Sequence, residues 1–357
     1  MLGALREQLK ALPVHQRQQV ITNISKLPDR EKVELIQLLS EIDKRTKRDA
    51  AQGGFLDFIK AVYPGYKIGN HHRRLANLLE EAVKGDKKRI IVNIAPRHGK
   101  SEMASYLFPA WFLGQYPDKK IIMATHTADL SVSFGRRVRD LVDSPDYREI
   151  FPSVKLNQDA KAAGQWNTSV GGQYYAVGVG GALAGRGADV FVIDDPHNEQ
   201  QAKTNNPTAF LPAWDWFQSG PLQRLMPNGI IIVVMTRWSM LDLTGQLVNH
   251  MIKNPDADQW EVVEFPAILN ENEETERSLW PEFWSLEALK SKRAGMDVRY
   301  WSAQYMQNPS SEGAQLLKRE WWRHWEYENP PDCEYLALVS HVLLFLRVPP
   351  AEVLQTT

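Results

Sequence analysis

A single cysteine, Cys333, stands in a chain of 357 residues, so no disulfide can form within one molecule and no cysteine-rich metal site can be built. An excess of basic charge is missing too. The 42 Lys and Arg against 43 Asp and Glu leave a net charge of −1, so any contact with nucleic acid must come from local patches. Long hydrophobic runs are absent: the longest apolar stretch, Leu336 to Leu346, is broken by Ser340 and His341 and is too short to span a bilayer. Arg6, Glu7 and Lys10 interrupt the apolar core that a signal peptide needs. No internal repeat or low-complexity tract is visible, and the histidines show no metal-ligand spacing, so no zinc site is expected. These absences suit a protein of a reducing cytoplasm with no membrane role.

What is present centres on the segment from Arg89 to Met103. Ile90 to Ile94 reads as a strand buried on both faces, followed by a short polar turn, Gly99-Lys100-Ser101, and a helix-compatible stretch. This is the layout of a phosphate-binding loop: free backbone N–H groups and a helix N-terminus can face an anion there. Gly99 lets the backbone approach the phosphate, Lys100 supplies a cation for the β/γ oxygens, and the Ser101 hydroxyl can ligate Mg²⁺. The second glycine of the usual pattern would fall five residues before Gly99, where Ile94 stands, so Ala95, Pro96, Arg97 and His98 must form the nucleotide loop without it. Arg97 is placed to offset charge on the transferred phosphoryl group, or to bond loop carbonyls.

A Gly-Lys-Ser tripeptide alone can be an ordinary turn, but a second element supports it. Val190 to Ile193 is another buried-strand pattern, and it ends in Asp194 and Asp195. A nucleotide-hydrolysing site needs one carboxylate for Mg²⁺, here Asp194, and one for water, here Asp195, with Glu199 the next candidate. The plainer reading is two surface acids at a strand end. Both motifs fall at the C-terminal ends of expected parallel strands, the edge where open α/β sheets bind ligands. A third buried strand, Ile230 to Met235, ends at Thr236, which either senses the γ-phosphate or simply caps the strand.

Strands are expected at 90–94, 121–125, 174–177, 190–193, 230–235 and 262–265, and helices at 71–83, 101–113, 130–142 and 241–252, with Pro109 kinking or shortening the second helix. The alternation argues for α/β architecture with a mainly parallel sheet. The expected division is a helical N-terminal segment and linker over 1–54, with Asp43 to Gly54 as the linker; an ATPase core over 55–269; an extension packed on the core over 270–330; and a tail over 331–357. Aromatic residues clustered near 280–325, among 12 Trp, would pin the extension to the larger body. His71 and His72, one helix upstream of the loop, are candidates to stack on adenine, or are structural. The glycines at 178, 180, 181, 185 and 187 lead into a strand and not a helix, so they read as a mobile loop whose Arg186 could contact DNA or a neighbouring subunit. Arg136, Arg137 and Arg139, and Lys87, Lys88 and Arg89, are either solvated faces or DNA-backbone contacts.

The order of these motifs carries a resemblance: His71-His72, Pro96-Arg97-His98-Gly99-Lys100-Ser101-Glu102, Phe108 to Trp111, Ala124 to Thr127, Gly185 to Asp189, Ile193 to Pro196 and Met235 to Trp238. The chain resembles the large terminase subunit of tailed bacteriophages from about Phe55 to Trp325. The resemblance implies an additional-strand P-loop ATPase fold using ATP and Mg²⁺. It further implies a ring of subunits on a portal protein, a small terminase subunit as partner, double-stranded DNA as the translocated substrate, and the cytoplasm of an infected bacterial host as the location. By motif position it assigns Arg97, Lys100 and Ser101 to the nucleotide loop, Asp194 and Asp195 to the acidic pair, and Thr236 to coupling. Members continue into a ribonuclease-H-like nuclease domain whose first strand carries a metal-binding aspartate. Here Tyr335 to Ser340 begins like that strand but the aspartate does not follow, so a truncated or separately encoded nuclease, and no nuclease activity in this chain, are expected. The rival readings are a helicase-like remodelling ATPase and an inactive nucleotide-binding remnant.

Overall fold

The computed structural model describes residues 29–203, 206–309, 337–339 and 342–344, and the chain divides into two compact units, Met1–Ser310 and Ser311–Thr357. In the first unit, eight strands form one sheet: β1 (Arg89–Ile94), β2 (Lys120–Thr125), β3 (Leu156–Ala162), β4 (Gln165–Thr168), β5 (Gln173–Gly178), β6 (Ala188–Asp194), β7 (Leu225–Met235) and β8 (Glu261–Phe265). Their spatial order is β3-β4-β5-β2-β6-β7-β1-β8. The pairs from β5 through to β8 are parallel, and only β3 with β4 and β4 with β5 run antiparallel. The expected mainly parallel α/β sheet is borne out. β7 lies between β1 and β6, so one additional strand separates the strand of the phosphate loop from the strand of the acidic pair.

Period-2 alternation explains why both faces are buried. Ile90, Val92 and Ile94 of β1 join Ile121, Met123, Val190, Val192, Ile232 and Val234 in one core, whereas Ile91 joins Ile122, Phe191, Ile193, Ile231 and Val233 in another. The first core is closed by α2 (Phe55–Val62), α3 (Asn70–Lys84), α4 (Phe108–Gln115), α5 (Ala128–Val142) and α6 (Pro145–Ile150). The second is closed by α7 (Leu211–Ser219), through Trp216 and Phe217, and by α8 (Leu243–Lys253), through Leu243 and Leu247. The result is a sheet between two helical layers, with central strands β1, β2 and β6 too apolar to face water on either side.

The helix after the phosphate loop takes an unexpected form. Glu102–Leu107 is a π-helix that runs directly into α4, and the Phe108 N–H donates to the Met103 carbonyl, five residues back. The cause is Pro109: its ring would clash with an α-helical carbonyl four residues earlier and it brings no N–H, so the widened turn ahead of it lets the helix continue. A proline expected to kink or shorten the helix is met by a change of pitch ahead of it.

Helix α1 (Asp29–Gly53) runs unbroken through the stretch expected to be a linker, Asp43 to Gly54. Its Leu35, Leu39 and Ile42 share one buried face, Lys47 pairs with Asp43 at 2.8 Å one turn away, and Ala51 is buried where its carbonyl accepts from Trp111 Nε1 at 3.3 Å. Charge density here marks the solvated face of a helix rather than a flexible joint. The β3–β4 hairpin was also not expected, because Leu156 to Ala162 and Gln165 to Thr168 have little apolar alternation. It is held from outside: Trp166 stacks on Tyr174 of β5 at 5.0 Å and donates to the Gly135 carbonyl of α5 at 3.0 Å.

Past β8 the chain packs back onto the core. The Ala267 N–H donates to the Tyr305 carbonyl at 2.7 Å, and Leu289 of α9 (Leu286–Ala294), Trp301 and Tyr305 form a small cluster with Ala95 and Ile268. Residues 310–330 of the expected extension lie outside the described residues. The second unit contains a short antiparallel pair, Ala337–Val339 with Val342–Leu344; the rest of the expected tail also lies outside them.

Candidate functional site

Three strands deliver their C-terminal ends to one edge of the sheet: β1 ends at Ile94 before the loop, β6 ends at Asp194, and β7 between them ends at Met235, just before Thr236. An open cleft of about 920 Å³ lies at that edge, lined by Pro96, Arg97, Lys100, Ser101, Asp195 and Thr236 among others. A sequence separation of more than a hundred residues is closed by strand order alone.

The buried Lys100 ammonium lies 3.5 Å from Asp194 Oδ1 and 3.2 Å from Ser101 Oγ, and forms a close ion pair with Asp195. Burial by itself lowers the lysine, but Asp194 and then Asp195 outweigh it and hold the ammonium above its ordinary range, so Lys100 stays charged. Asp194 is buried and accepts from the Ser105 hydroxyl at 2.7 Å; burial pushes its carboxyl up against the pull of Lys100. One ammonium facing two carboxylates leaves the cluster one positive charge short. The remaining donors, the Ser101 hydroxyl and the Asp194 carboxylate, are hard oxygens that fit Mg²⁺, which takes one or two carboxylates and completes its shell with phosphate and water. Among the described residues no group of three or more His, Cys, Asp or Glu gathers to hold a metal by protein ligands alone.

Asp195 adopts a left-handed backbone, φ 41°, and ties the site together. Its Oδ1 accepts from the Thr236 N–H at 2.9 Å, its N–H donates to the Val234 carbonyl at 3.0 Å, and its carbonyl accepts from the His126 N–H at 3.2 Å. The Thr236 hydroxyl donates in turn to the Ile94 carbonyl at 3.2 Å. The acidic pair, the end of β7 and the root of the phosphate loop therefore form one hydrogen-bonded network. Glu199 lines the same cleft, exposed at the start of the short helix Glu199–Lys203.

Other candidates sit differently. Arg97 is exposed at the cleft with φ 62°, whereas His98 is buried and its ring turns back beneath the loop, Nδ1 donating to the Pro96 carbonyl at 2.9 Å. His71 and His72, candidates to stack on adenine, are buried under the loop: their centroids are 3.8 Å apart, and Trp280 stands edge-on to His72 at 4.7 Å. Neither ring offers a face to a base. Most basic clusters are paired within the chain. Arg137 Nη2 donates to both carboxylate oxygens of Glu102, at 2.8 and 2.7 Å, Arg89 meets Asp258 at 2.7 Å, and Arg186 lies 3.6 Å over the Tyr175 ring.

Several contributors were not read from the sequence. Ser105 is one helical turn after Ser101, a spacing that could have suggested it. Gln304 and Tyr305 line the cleft from the extension, and Gln307 Oε1 accepts from the Arg237 N–H at 3.3 Å; nothing local marks them. Arg237 is locked by buried Asp242, the cap of α8, with Nε at 3.0 Å from Oδ2; Asp242 also accepts from the N–H groups of Trp238, Ser239 and Gly245.

Additional-strand order, a glycine-lysine-serine loop and an acidic pair at one sheet edge define an α/β protein of the P-loop NTPase class. Residues 91–323 match the family described as terminase large subunit, T4likevirus-type, N-terminal, and the chain belongs to that family. The resemblance read from the order of motifs is thereby borne out. The fold is similar to the HK97 bacteriophage large terminase, with a TM-score of 0.50 at 14% identity over 72% of this chain and 55% of that one. More distant likeness extends to the large terminase ATPase domain of Thermus phage P74-26, with a TM-score of 0.42 at 11% identity over 69% of this chain and 100% of that one. It also extends to the large terminase of a thermophilic bacteriophage in complex with ADP, with a TM-score of 0.40 at 9% identity over 64% of this chain and 51% of that one. The chain spans about half the length of the HK97 protein and of the ADP-bound thermophilic-phage protein. Comparison with curated proteins finds no match.

Proposed function

We propose that this chain hydrolyses ATP with Mg²⁺ and that hydrolysis drives double-stranded DNA into a viral procapsid. The observation that carries the reading is the network joining Lys100, Asp194, Asp195 and Thr236 at the mouth of the phosphate loop. In a chain of the large terminase family this is the chemistry of a packaging motor.

ATP enters with its β- and γ-phosphates against the loop of residues 96–101, and the phosphate oxygens take over Lys100 from the two aspartates. Ser101 and Asp194 are the residues that would hold Mg²⁺, and the ion would supply charge neutralisation for the phosphate oxygens. Asp195, released from the ammonium, orients the attacking water and accepts its proton, while Arg97 offsets charge on the transferred group. Thr236 reads the change: its N–H follows Asp195 and its hydroxyl holds Ile94, so movement of the acidic pair bears on the end of β7 and, through Arg237 and Asp242, on the start of α8. The strand end is the element that passes nucleotide state to bound DNA. The partners on this reading are double-stranded DNA, a portal protein, a small terminase subunit and further copies of the chain in a ring, within the cytoplasm of an infected bacterium. No described helix is long and apolar enough to cross a membrane.

Steady-state ATPase measurements with Mg²⁺, with and without duplex DNA, test the proposal. Turnover stimulated by duplex and abolished in Lys100→Ala is expected. Turnover that survives Lys100→Ala would remove the site assignment, and strand separation by the wild type would favour a helicase.

A further inference from the structure

The loop achieves a phosphate-cradling shape without the early glycine, since Ile94 stands there, and it passes through positive φ at Arg97 (62°) and Gly99 (84°). What holds it is a set of side chains behind it. Four consecutive carbonyls are each engaged by a side-chain donor. The Pro96 carbonyl accepts from His98 Nδ1 at 2.9 Å, and the Arg97 carbonyl from Trp284 Nε1 at 3.3 Å. The His98 carbonyl accepts from Nε2 of both His71, at 3.1 Å, and His72, at 3.0 Å. The Gly99 carbonyl meets the Tyr66 hydroxyl at the outer limit of 3.5 Å, and also accepts from the Met103 N–H at 3.1 Å. In a planar trans peptide the C=O and the following N–H point in opposite directions. Turning the carbonyls of residues 96–99 toward this set therefore aims the N–H groups of Arg97, His98, Gly99 and Lys100 away from it, to the side where an anion nest can form.

We infer that Tyr66, His71, His72 and Trp284 are positioning residues for the nucleotide: they clamp the loop carbonyls and thereby substitute for the missing glycine. The inference rests on the ATP reading of the cleft. The tautomers are fixed by the contacts. Gly69 N–H donates to His72 Nδ1 at 3.0 Å, so the proton of the neutral ring sits on Nε2, the atom facing the His98 carbonyl. Burial lowers His72 to about 4 and His71 to about 3, which keeps both rings neutral at working pH. Contact is close enough that a Cβ on Gly99 would collide with His72 Nε2 and the Tyr66 hydroxyl. Trp284 belongs to the C-terminal extension, so seating of the extension and affinity for nucleotide are linked through the Arg97 carbonyl.

The test measures the Kd of a fluorescent ATP analogue, KM, kcat and Tm for five variants of the full chain. Tyr66→Phe and Trp284→Phe each delete a donor and keep an aromatic ring, and each is expected to raise Kd about three- to ten-fold. The double variant His71→Phe with His72→Phe removes both donors to the His98 carbonyl and is expected to raise Kd and KM about 10- to 100-fold, with kcat at saturating ATP falling less. His72→Gln, which keeps a donor at the Nε2 position, should stay within a few-fold of wild type. The fifth, Lys100→Ala, separates the two readings. If wild type binds and Lys100→Ala does not, yet folded clamp variants bind like wild type, the clamp is overturned and the ATP site stands; if wild type binds no ATP, both fall. Should the double variant fail to fold, Tyr66→Phe and Trp284→Phe decide the matter, because wild-type affinity in both overturns the clamp.

Discussion

Replacing Asp195 with asparagine separates binding from chemistry at this site. The left-handed backbone at φ 41° is one that asparagine tolerates, and its Oδ1 can still accept from the Thr236 N–H, now 2.9 Å away. Loss of fold stability should therefore stay within what the Lys100 pair contributes, up to about 1.5–3 kcal/mol. What disappears is the negative charge and the ability to take a proton. A positioned general base contributes about 10²- to 10⁴-fold, so kcat should drop by that factor, about 3 to 5 kcal/mol in barrier. Binding should move the other way. In the free protein Lys100 is held by both Asp194 and Asp195, and ATP must displace them. A hydrogen bond to a charged group nets about 1.5–3 kcal/mol, part of which Asp194 retains, so removing one competitor should leave ATP affinity unchanged or tighten it up to about ten-fold. Steady-state ATPase kinetics beside equilibrium titration with an ATP analogue read both quantities in one preparation. A variant that turns over normally would move the catalytic carboxylate elsewhere, Glu199 first; one that binds ATP more than ten-fold weaker would refute the competition between the acids and phosphate for Lys100.

Further outcomes follow from the buried groups. His71, His72 and His197 are lowered by burial to about 3, about 4 and about 4, so below their ordinary value near 6.5 the unfolded chain takes up protons that the native state refuses. Their contribution is complete above about pH 6.5 and fades as pH falls toward the folded values, about 2 kcal/mol for each by pH 5; an equal urea midpoint at pH 7 and pH 5 would refute it. Asp242→Ala strands Arg237 in a buried site and uncaps α8, and should cost about 4–6 kcal/mol in urea denaturation, with a loss under 1 kcal/mol contradicting the assigned lock.

The sequence by itself determined the parts whose signal is local. Six of the eight sheet strands were legible as mainly apolar runs such as Ile90 to Ile94, interrupted there only by Asn93, because a strand packed into the sheet's core carries apolar residues along most of its length. The polar turn at Gly99 to Ser101 and the acids at Asp194 and Asp195 stood out for the same reason, as charge at the ends of apolar runs. Where local signal was ambiguous, tertiary packing decided. Asp43 to Asp49 carries the composition of a linker, yet it is helix, with Leu35, Leu39 and Ile42 buried along one face and Ala51 set into the main core. The β3–β4 hairpin exists because Trp166 finds Tyr174 and Gly135. Only the folded chain could show that β7 inserts between β1 and β6, bringing Thr236 to Asp195, since strand order is a property of the whole sheet. The same holds for His71 and His72: the residue type suggested a ring stacked on a base, and burial under the loop makes them donors to a carbonyl instead, a role set by neighbours between 26 and 27 residues away in sequence.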